Sequence, residues 1–176
     1  KFWREREKEL VDKLHIQATT DQLTGIFNRR VVFDALDEAM EKANESQDRE
    51  FTTIMFDIDF FKQVNDTYGH AGGDAVLISF AKLLESEITS PNIVGRIGGE
   101  EFLAILYLSQ DQAAEFCKKL IIKINDNTVN FEGIDIKISS SGGVAFSSET
   151  NTSADLTNKA DERLYEAKKS GRNRFK

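Results

Sequence analysis

Apolar positions along the chain switch between two periods, and the switches mark its elements. Residues 1–19 are densely charged, with Trp3, Leu10, Val11, Leu14 and Ile16 set among the charges. Trp3, Leu10 and Leu14 follow a seven-then-four spacing over about two heptads, which suits a narrow seam between two helices. We read this stretch as a connecting helix that pairs with a second copy. Residues 20–30 interrupt it with Asp21, Thr24 and Asn28, whose side chains bond nearby backbone, and Gly25, which accepts turn geometry. Asn28 suits the N-cap of a helix that places Val32, Phe33, Leu36, Ala39 and Met40 on one face.

Residues 51–59 change to a period of two. Ile54, Phe56 and Ile58 share one face of the predicted strand, and Met55, Asp57 and Asp59 the other, so two carboxylates leave its end on one side. A short helix over 60–65 and a glycine-containing loop over 66–74 are expected next. A helix from Asp74 then carries Val76, Leu77, Phe80, Leu83, Leu84 and Ile88. Residues 92–108 hold two short apolar runs around Gly98-Gly99, which predicts a β-hairpin with a tight turn, and Glu100 and Glu101 sit directly on that turn. A helix over 111–126 puts Ala113, Cys117, Leu120, Ile121 and Ile124 on one stripe. A small strand follows at 129–131. Ile134, Ile136 and Ile138 then alternate into residues 139–146 as a second core strand.

The last helix starts at Ser153 or Asp155, turns Leu156, Ala160, Leu164 and Ala167 inward and ends at Gly171, and residues 172–175 close as an edge strand. This order predicts an α+β fold, ferredoxin-like: a mixed, largely antiparallel central sheet with its surrounding helices on one face.

Composition narrows the class. With 176 residues, 40% of them hydrophobic and thirteen Phe, the chain suits one packed domain with an appendage. A net charge of -7 argues against nonspecific nucleic-acid binding and against contact with an anionic membrane. The lone Cys117 excludes an internal disulfide and a cysteine-rich zinc site, and its helical stripe reads as a buried, inert thiol. No apolar run approaches the roughly 18 residues that span a bilayer, and no signal peptide is visible. The chain opens at Lys1, in mid-helix by its pattern, so we expect a fragment of a longer protein with a sensory domain upstream.

The candidate chemistry lies where strands end. Asp57 ends the first core strand, and Glu100 and Glu101 occupy the hairpin turn; in a small sheet of this order the two places lie on adjacent strands. Each acid alone reads equally well as a solvated turn or strand end. Three carboxylates meeting there repel one another unless a cation sits between them. Hard oxygen donors without a His or Cys cluster select Mg²⁺ or Mn²⁺ over zinc. The backbone N–H groups of Phe60 and Phe61, with Lys62, lie at a strand-to-helix junction that favours phosphate. Residues 159–176 hold seven Lys and Arg against three acids. Lys168 and Arg172, four apart, are placed to share a helix face and reach for phosphates, although the helix dipole also favours cations there.

Four stretches carry a resemblance to a known family. Gly98-Gly99-Glu100-Glu101-Phe102 resembles the signature of GGDEF diguanylate cyclase domains, in its GGEEF form. Residues 21–30, Asp-Gln-Leu-Thr-Gly-Ile-Phe-Asn-Arg-Arg, resemble that family's opening motif. Residues 57–74, Asp-Ile-Asp-Phe-Phe-Lys-Gln-Val-Asn-Asp-Thr-Tyr-Gly-His-Ala-Gly-Gly-Asp, resemble its metal and guanine segment. Residues 160–173 resemble its closing motif. The resemblance runs from about residue 20 to residue 175, with motifs in the family's order and spacing, and makes 20–176 the catalytic domain after a connecting helix at 1–19.

The resemblance implies a nucleotidyl-cyclase palm and a role for each matching position. Asp57, the carbonyl of Ile58 and Glu100 would hold Mg²⁺, two ions per site, with Glu101 assisting at the second ion. Phe60, Phe61 and Lys62 would hold the β- and γ-phosphates of GTP, with Lys168 and Arg172 closing over them. Asn65 and Asp74 would read guanine, and His70 would line the pocket. The implied reaction joins two GTP into cyclic di-GMP with release of two pyrophosphates, in a cytosolic homodimer, with Glu100, Asp57 and Lys62 as the catalytic set and Glu100 as candidate general base.

The alternatives are a catalytically silent GTP-binding regulatory domain and a cyclase making cyclic AMP or GMP. The chain also departs from many members: Thr89-Ser90-Pro91-Asn92 stands where they carry an Arg-x-x-Asp product-inhibition site. Feedback through that site is therefore expected to be absent, and Asp74 is expected to keep GTP preferred over ATP.

Overall fold

A computed structural model describes residues 2–176, so Lys1 of the predicted connecting helix lies outside the described residues. In chain order the elements are α1 (Phe2–Thr19), α2 (Arg29–Glu45), β1 (Thr52–Ile58), α3 (Phe61–Glu87), β2 (Ile93–Gly98), β3 (Glu101–Leu106), α4 (Gln110–Asp126), β4 (Thr128–Phe131), β5 (Ile134–Lys137), β6 (Ser140–Phe146) and α5 (Ser153–Lys169). The main sheet has the order β2-β3-β1-β6, every pairing antiparallel.

β1 is the centre of this sheet and is buried at all seven positions. Its alternation sends Ile54, Phe56 and Ile58 into one cluster with α3 and α4. Met55 goes to the other face, where it joins Leu103, Ile105 and Ala145 under α2 and α5. Helices thus cover both faces, not one. The reason is that β1, β3 and β6 carry small or apolar residues on their second face as well, and that surface must also leave water. Phe80 packs edge-on against Phe56 and Phe102, with ring centroids 6.5 and 5.1 Å apart, and Phe175 sits 5.6 Å from Phe56. Phe102 follows directly on the Glu100-Glu101 pair, so truncating it to Ala would cost about 3–5 kcal/mol and loosen the hairpin at its turn.

Three further expectations are corrected. The loop expected over 66–74 is helical except at Gly69 (φ 72, ψ 175), so two helical pieces meet at a kink. Gly72 and Gly73 are there for close packing: an added Cβ would fall 2.4 Å from Tyr68 Cβ at the first and 1.9 Å from Asn65 Oδ1 at the second. Next, Ile134 and Ile136 do not run on into the core strand. They belong to a separate β4–β5 hairpin turned at Glu132-Gly133, both with positive φ, and the chain breaks at Ile138-Ser139 before β6 starts. Finally, Lys168 and Arg172 do not share a helical face, because α5 ends at Lys169 and the chain turns left-handed through Gly171, Arg172 and Asn173.

Other readings hold. Asn28 caps α2, its Oδ1 accepting from the Val31 N–H at 3.1 Å. Cys117 is buried, and burial pushes its thiol up to about 12, which disfavours the reactive thiolate. The edge strand expected over 172–175 is only partly formed: residues 172 and 173 are in the left-handed turn, and 174–176 make a single parallel bridge to β6, Gly142 N–H donating to Arg174 O and Lys176 N–H to Gly142 O. Helix α1 stands exposed, Leu10, Val11 and Leu14 each more than half open to solvent.

Candidate active site

Register brings the acids together. Asp57 on β1 pairs directly with Glu101 on β3, and the Ile58 N–H donates to Glu100 O at 3.3 Å. Gly98 faces Glu101 across the hairpin, leaving Gly99 (φ 37) and Glu100 as the turn, and Ile97 is bulged out between Arg96 and Gly98. The bulge twists the strand end and frees Ile97 O to accept from Arg29 at 3.0 Å. Arg96 fixes the turn from behind: its Nε donates to Gly99 O at 2.9 Å, and its Nη1 to Asp21 Oδ1 at 3.1 Å. Burial would raise Asp21, yet hydrogen bonds from Thr24 and the Arg96 guanidinium outweigh it and hold the carboxyl below its usual range.

Asp57 is the unusual acid. Burial raises it to about 6, Glu100 and Glu101 push the same way, and only Lys168 opposes them. Lys168 Nζ lies 3.0 Å from Asp57 Oδ2 and serves as its counter-charge. Among the described residues no three acid, His or Cys side chains converge closely enough to hold a metal ion together. Asp57, Glu100 and Glu101 share a corner of the sheet as expected, then, without closing into a ligand cluster around it.

The phosphate candidates flank this corner. Phe60 adopts φ 56 at the end of β1, which costs about 1–2 kcal/mol and turns the chain sharply into α3. No side chain caps that helix start. Lys62 is exposed and pairs with Asp66 at 2.9 Å. Arg172, delivered by its left-handed turn, stacks its guanidinium 4.6 Å from the centre of the exposed Phe60 ring.

Farther along α3, across the kink, Asn65 packs against Gly73, the residue that precedes the other guanine candidate, Asp74. His70 and Asp74 are both exposed beside them. Asp59 received no role from the sequence, yet it is buried and accepts from Ser139, Ser141 and the Asn173 N–H. Its position two residues after Asp57 on the same strand face was the available signal.

Comparison with known proteins decides the family. Residues 18–174 match the family described as "Diguanylate cyclase, GGDEF domain". The chain belongs to the GGDEF diguanylate cyclase domain family. This GGDEF domain is 36% identical over 160 residues to "Diguanylate cyclase A" of Treponema denticola, covering 89% of the chain and 43% of that protein. It is 35% identical over 164 residues to "Diguanylate cyclase DgcS" of Shewanella oneidensis, covering 93% and 54%. The chain thus spans about half the length of these relatives.

Among solved structures, the coiled coil and GGDEF domain of DgcB from Caulobacter crescentus in complex with c-di-GMP superposes with a TM-score of 0.88 at 29% identity, covering 97% of this chain and 91% of that one. Diguanylate cyclase SiaD from Pseudomonas aeruginosa, in complex with its activator SiaC, gives 0.86 at 32% identity, covering 99% and 67%. The antiparallel sheet between helices is that of these GGDEF domains.

Proposed function

We propose that this domain condenses two GTP into cyclic di-GMP, releasing two pyrophosphates, as a homodimer in the cytosol driven by a sensory domain outside this chain. The observation that carries the reading is the pairing of Asp57 with Glu101 across β1 and β3, with Glu100 at the adjoining turn, in a chain matched to this family over residues 18–174. The chemistry of the donor set suits a divalent cation such as Mg²⁺, around which the three carboxylates would have to draw closer than they stand here. All its donors are hard oxygens, and Asp57 is a carboxyl that burial and two neighbouring acids hold near 6, a strain a cation relieves. Asp57, the Ile58 carbonyl, Glu100 and Glu101 would hold two such ions, which when bound neutralise charge on the phosphates.

The chain's own residues do the rest. Asn65 and Asp74 orient guanine, Asp74 accepting from N1–H and the exocyclic amine, donors that adenine lacks there; His70 lines the same pocket. The amides at Phe60 and Phe61, with Lys62, bind the β- and γ-phosphates. Lys168, now paired with Asp57 at 3.0 Å, would be free to join Arg172 over them if a bound cation supplied that counter-charge. The 3′-hydroxyl of one GTP attacks the α-phosphorus of the other, its proton passing to Glu100, and the bond to pyrophosphate breaks; repetition with the roles exchanged closes the ring. One domain carries one GTP, so two copies must face each other.

Incubating the chain with GTP and Mg²⁺ and identifying the product by mass tests this reading. Wild type yields cyclic di-GMP, and Glu100→Ala loses at least about 100-fold in rate, as removal of a residue that both holds the cation and takes the proton should. If both proteins bind GTP and neither forms product, the domain is a silent GTP receptor instead.

A further inference from the structure

We propose that Asp59 is a positioning residue of the phosphate site, holding Arg172 over Phe60 through the Asn173 amide, and is not a metal ligand. The inference rests on the assignment of Arg172 as a phosphate-binding cation. Asp59 stands one strand position beyond Ile58, two residues from Asp57, and is 4% exposed. Its oxygens are fully engaged by neutral donors. Oδ1 accepts from Ser141 Oγ at 2.7 Å, and Oδ2 accepts from Ser139 Oγ at 2.7 Å and from the Asn173 N–H at 3.0 Å. Its own N–H donates to Ser139 O at 2.9 Å, which locks it to the edge of β6.

The segment it grips is unfavourable by itself. Gly171, Arg172 and Asn173 have φ of 110, 63 and 47, and two of the three are not glycine. The Arg172 N–H bonds Ala167 O at 3.0 Å on one side, the Asn173 N–H bonds Asp59 on the other, and Gly142 N–H takes up Arg174 O at 3.0 Å just beyond. Arg172 is therefore held between two anchors, with its guanidinium over Phe60, the residue that follows Asp59. One residue thus sets both partners of the stack, Phe60 through the backbone and Arg172 through the side chain. Without the carboxylate, the Asn173 amide and two serine hydroxyls lose their acceptor, and the turn is free to relax away from the phosphates.

The decisive contrast is chemical. A positioning acceptor tolerates an amide: Asp59→Asn keeps an oxygen toward Ser139 and Asn173, and the Ser141 hydroxyl accepts as readily as it donates. A metal ligand would not tolerate it, because the charge is lost. KM and kcat for GTP, together with calorimetric affinity for a non-hydrolysable GTP analogue with Mg²⁺, are measured for Asp59→Ala, Asp59→Asn, Arg172→Ala and Asp59→Ala/Arg172→Ala. We expect Asp59→Ala to raise KM about tenfold with kcat held within about threefold, Asp59→Asn to stay within about threefold of wild type, and the double variant to be no worse than Arg172→Ala.

Equal damage from the amide and alanine substitutions, a shifted Mg²⁺ requirement in Asp59→Asn, or losses that multiply in the double variant would overturn the proposal. Should Asp59→Ala not fold, Asp59→Asn decides: near-wild-type KM upholds the acceptor role, and a loss beyond about tenfold removes it. An unchanged KM in Arg172→Ala removes the phosphate role of Arg172, and this proposal with it, while leaving product formation by wild type intact.

Discussion

At the scale of residues, two positions show how the site's chemistry depends on packing. Gly73 has no side chain because Asn65 Oδ1 fills the space, 1.9 Å from where a Cβ would stand, with Phe61 Cζ at 3.3 Å. Gly73→Ala should leave the fold standing, since Ala is the better helix former by about 1 kcal/mol, while it displaces Asn65. We expect KM for GTP to rise about tenfold and the preference over ATP to narrow; an unchanged KM would separate Asn65 from guanine binding. Asp57 carries the second prediction.

Its pKa of about 6 lies above the ordinary aspartate value of 3.8, so the folded chain binds the extra proton between those pH values. Stability of the metal-free chain is therefore fully present below about pH 4 and declines as pH rises through 6, by about 3 kcal/mol if Asp57 alone is responsible. Asp57→Asn should abolish the decline in thermal unfolding across that window. Added Mg²⁺ should restore wild-type stability above pH 6 and do nothing for the variant.

At the scale of elements, the parts legible in the sequence were those whose signal is local. The period of two in β1 foretold which side chains went to which face, and Gly98-Gly99 foretold the hairpin turn, because both follow from backbone geometry alone. Gly72 and Gly73 misled because a glycine needed for close helix approach looks the same as one needed for a loop; only the position of Asn65 distinguishes them. The left-handed turn at Arg172 was hidden for a similar reason, since Asp59, which holds its far side, and Gly142, which takes the chain beyond it, lie far away in sequence. That Asp57, Glu100 and Glu101 meet at one corner of the sheet was legible from strand ends and turn, but not the Lys168–Asp57 pair found there.

The connection between α3 and β2 supports a prediction of its own. Asn92, at the position where many members carry an acid for product binding, spends its Oδ1 on the Tyr107 N–H at 2.8 Å, pinning the edge of the hairpin, and its own N–H donates to Thr89 O. Neither Thr89 nor Asn92 offers the charge that a phosphodiester needs. Initial rates should therefore be unchanged by cyclic di-GMP at concentrations that inhibit members with the Arg-x-x-Asp site. Strong inhibition relieved by substituting Thr89 or Asn92 would contradict this.

At the scale of the whole molecule, the proposed reaction would need two copies, and α1 is the exposed element we propose for their pairing. Leu10, Val11 and Leu14 remain open on a helix that is exposed along most of its length, whereas its end is tied firmly to the domain. Asn28 Nδ2 and Arg30 Nη2 both donate to Ala18 O, at 2.9 and 2.7 Å. Two residues past α1, Asp21 accepts from Arg96, and Arg96 donates to Gly99 O beside Glu100, so a path of backbone and hydrogen bonds runs from the helix end to the hairpin turn.

A helix so joined would set the relative placement of two turns when it pairs, in the way a parallel two-stranded seam fixes what it carries. Leu10→Asp with Leu14→Asp should then shift the chain to monomer in sedimentation and lower the rate of cyclic di-GMP formation at least about tenfold at micromolar protein, with GTP-analogue affinity per chain unchanged. The rate should recover as protein concentration rises, because the half-sites themselves are intact. A monomeric variant with undiminished turnover would show that the two GTP meet by contacts between the domains alone, and α1 would be left as a lever without a part in assembly.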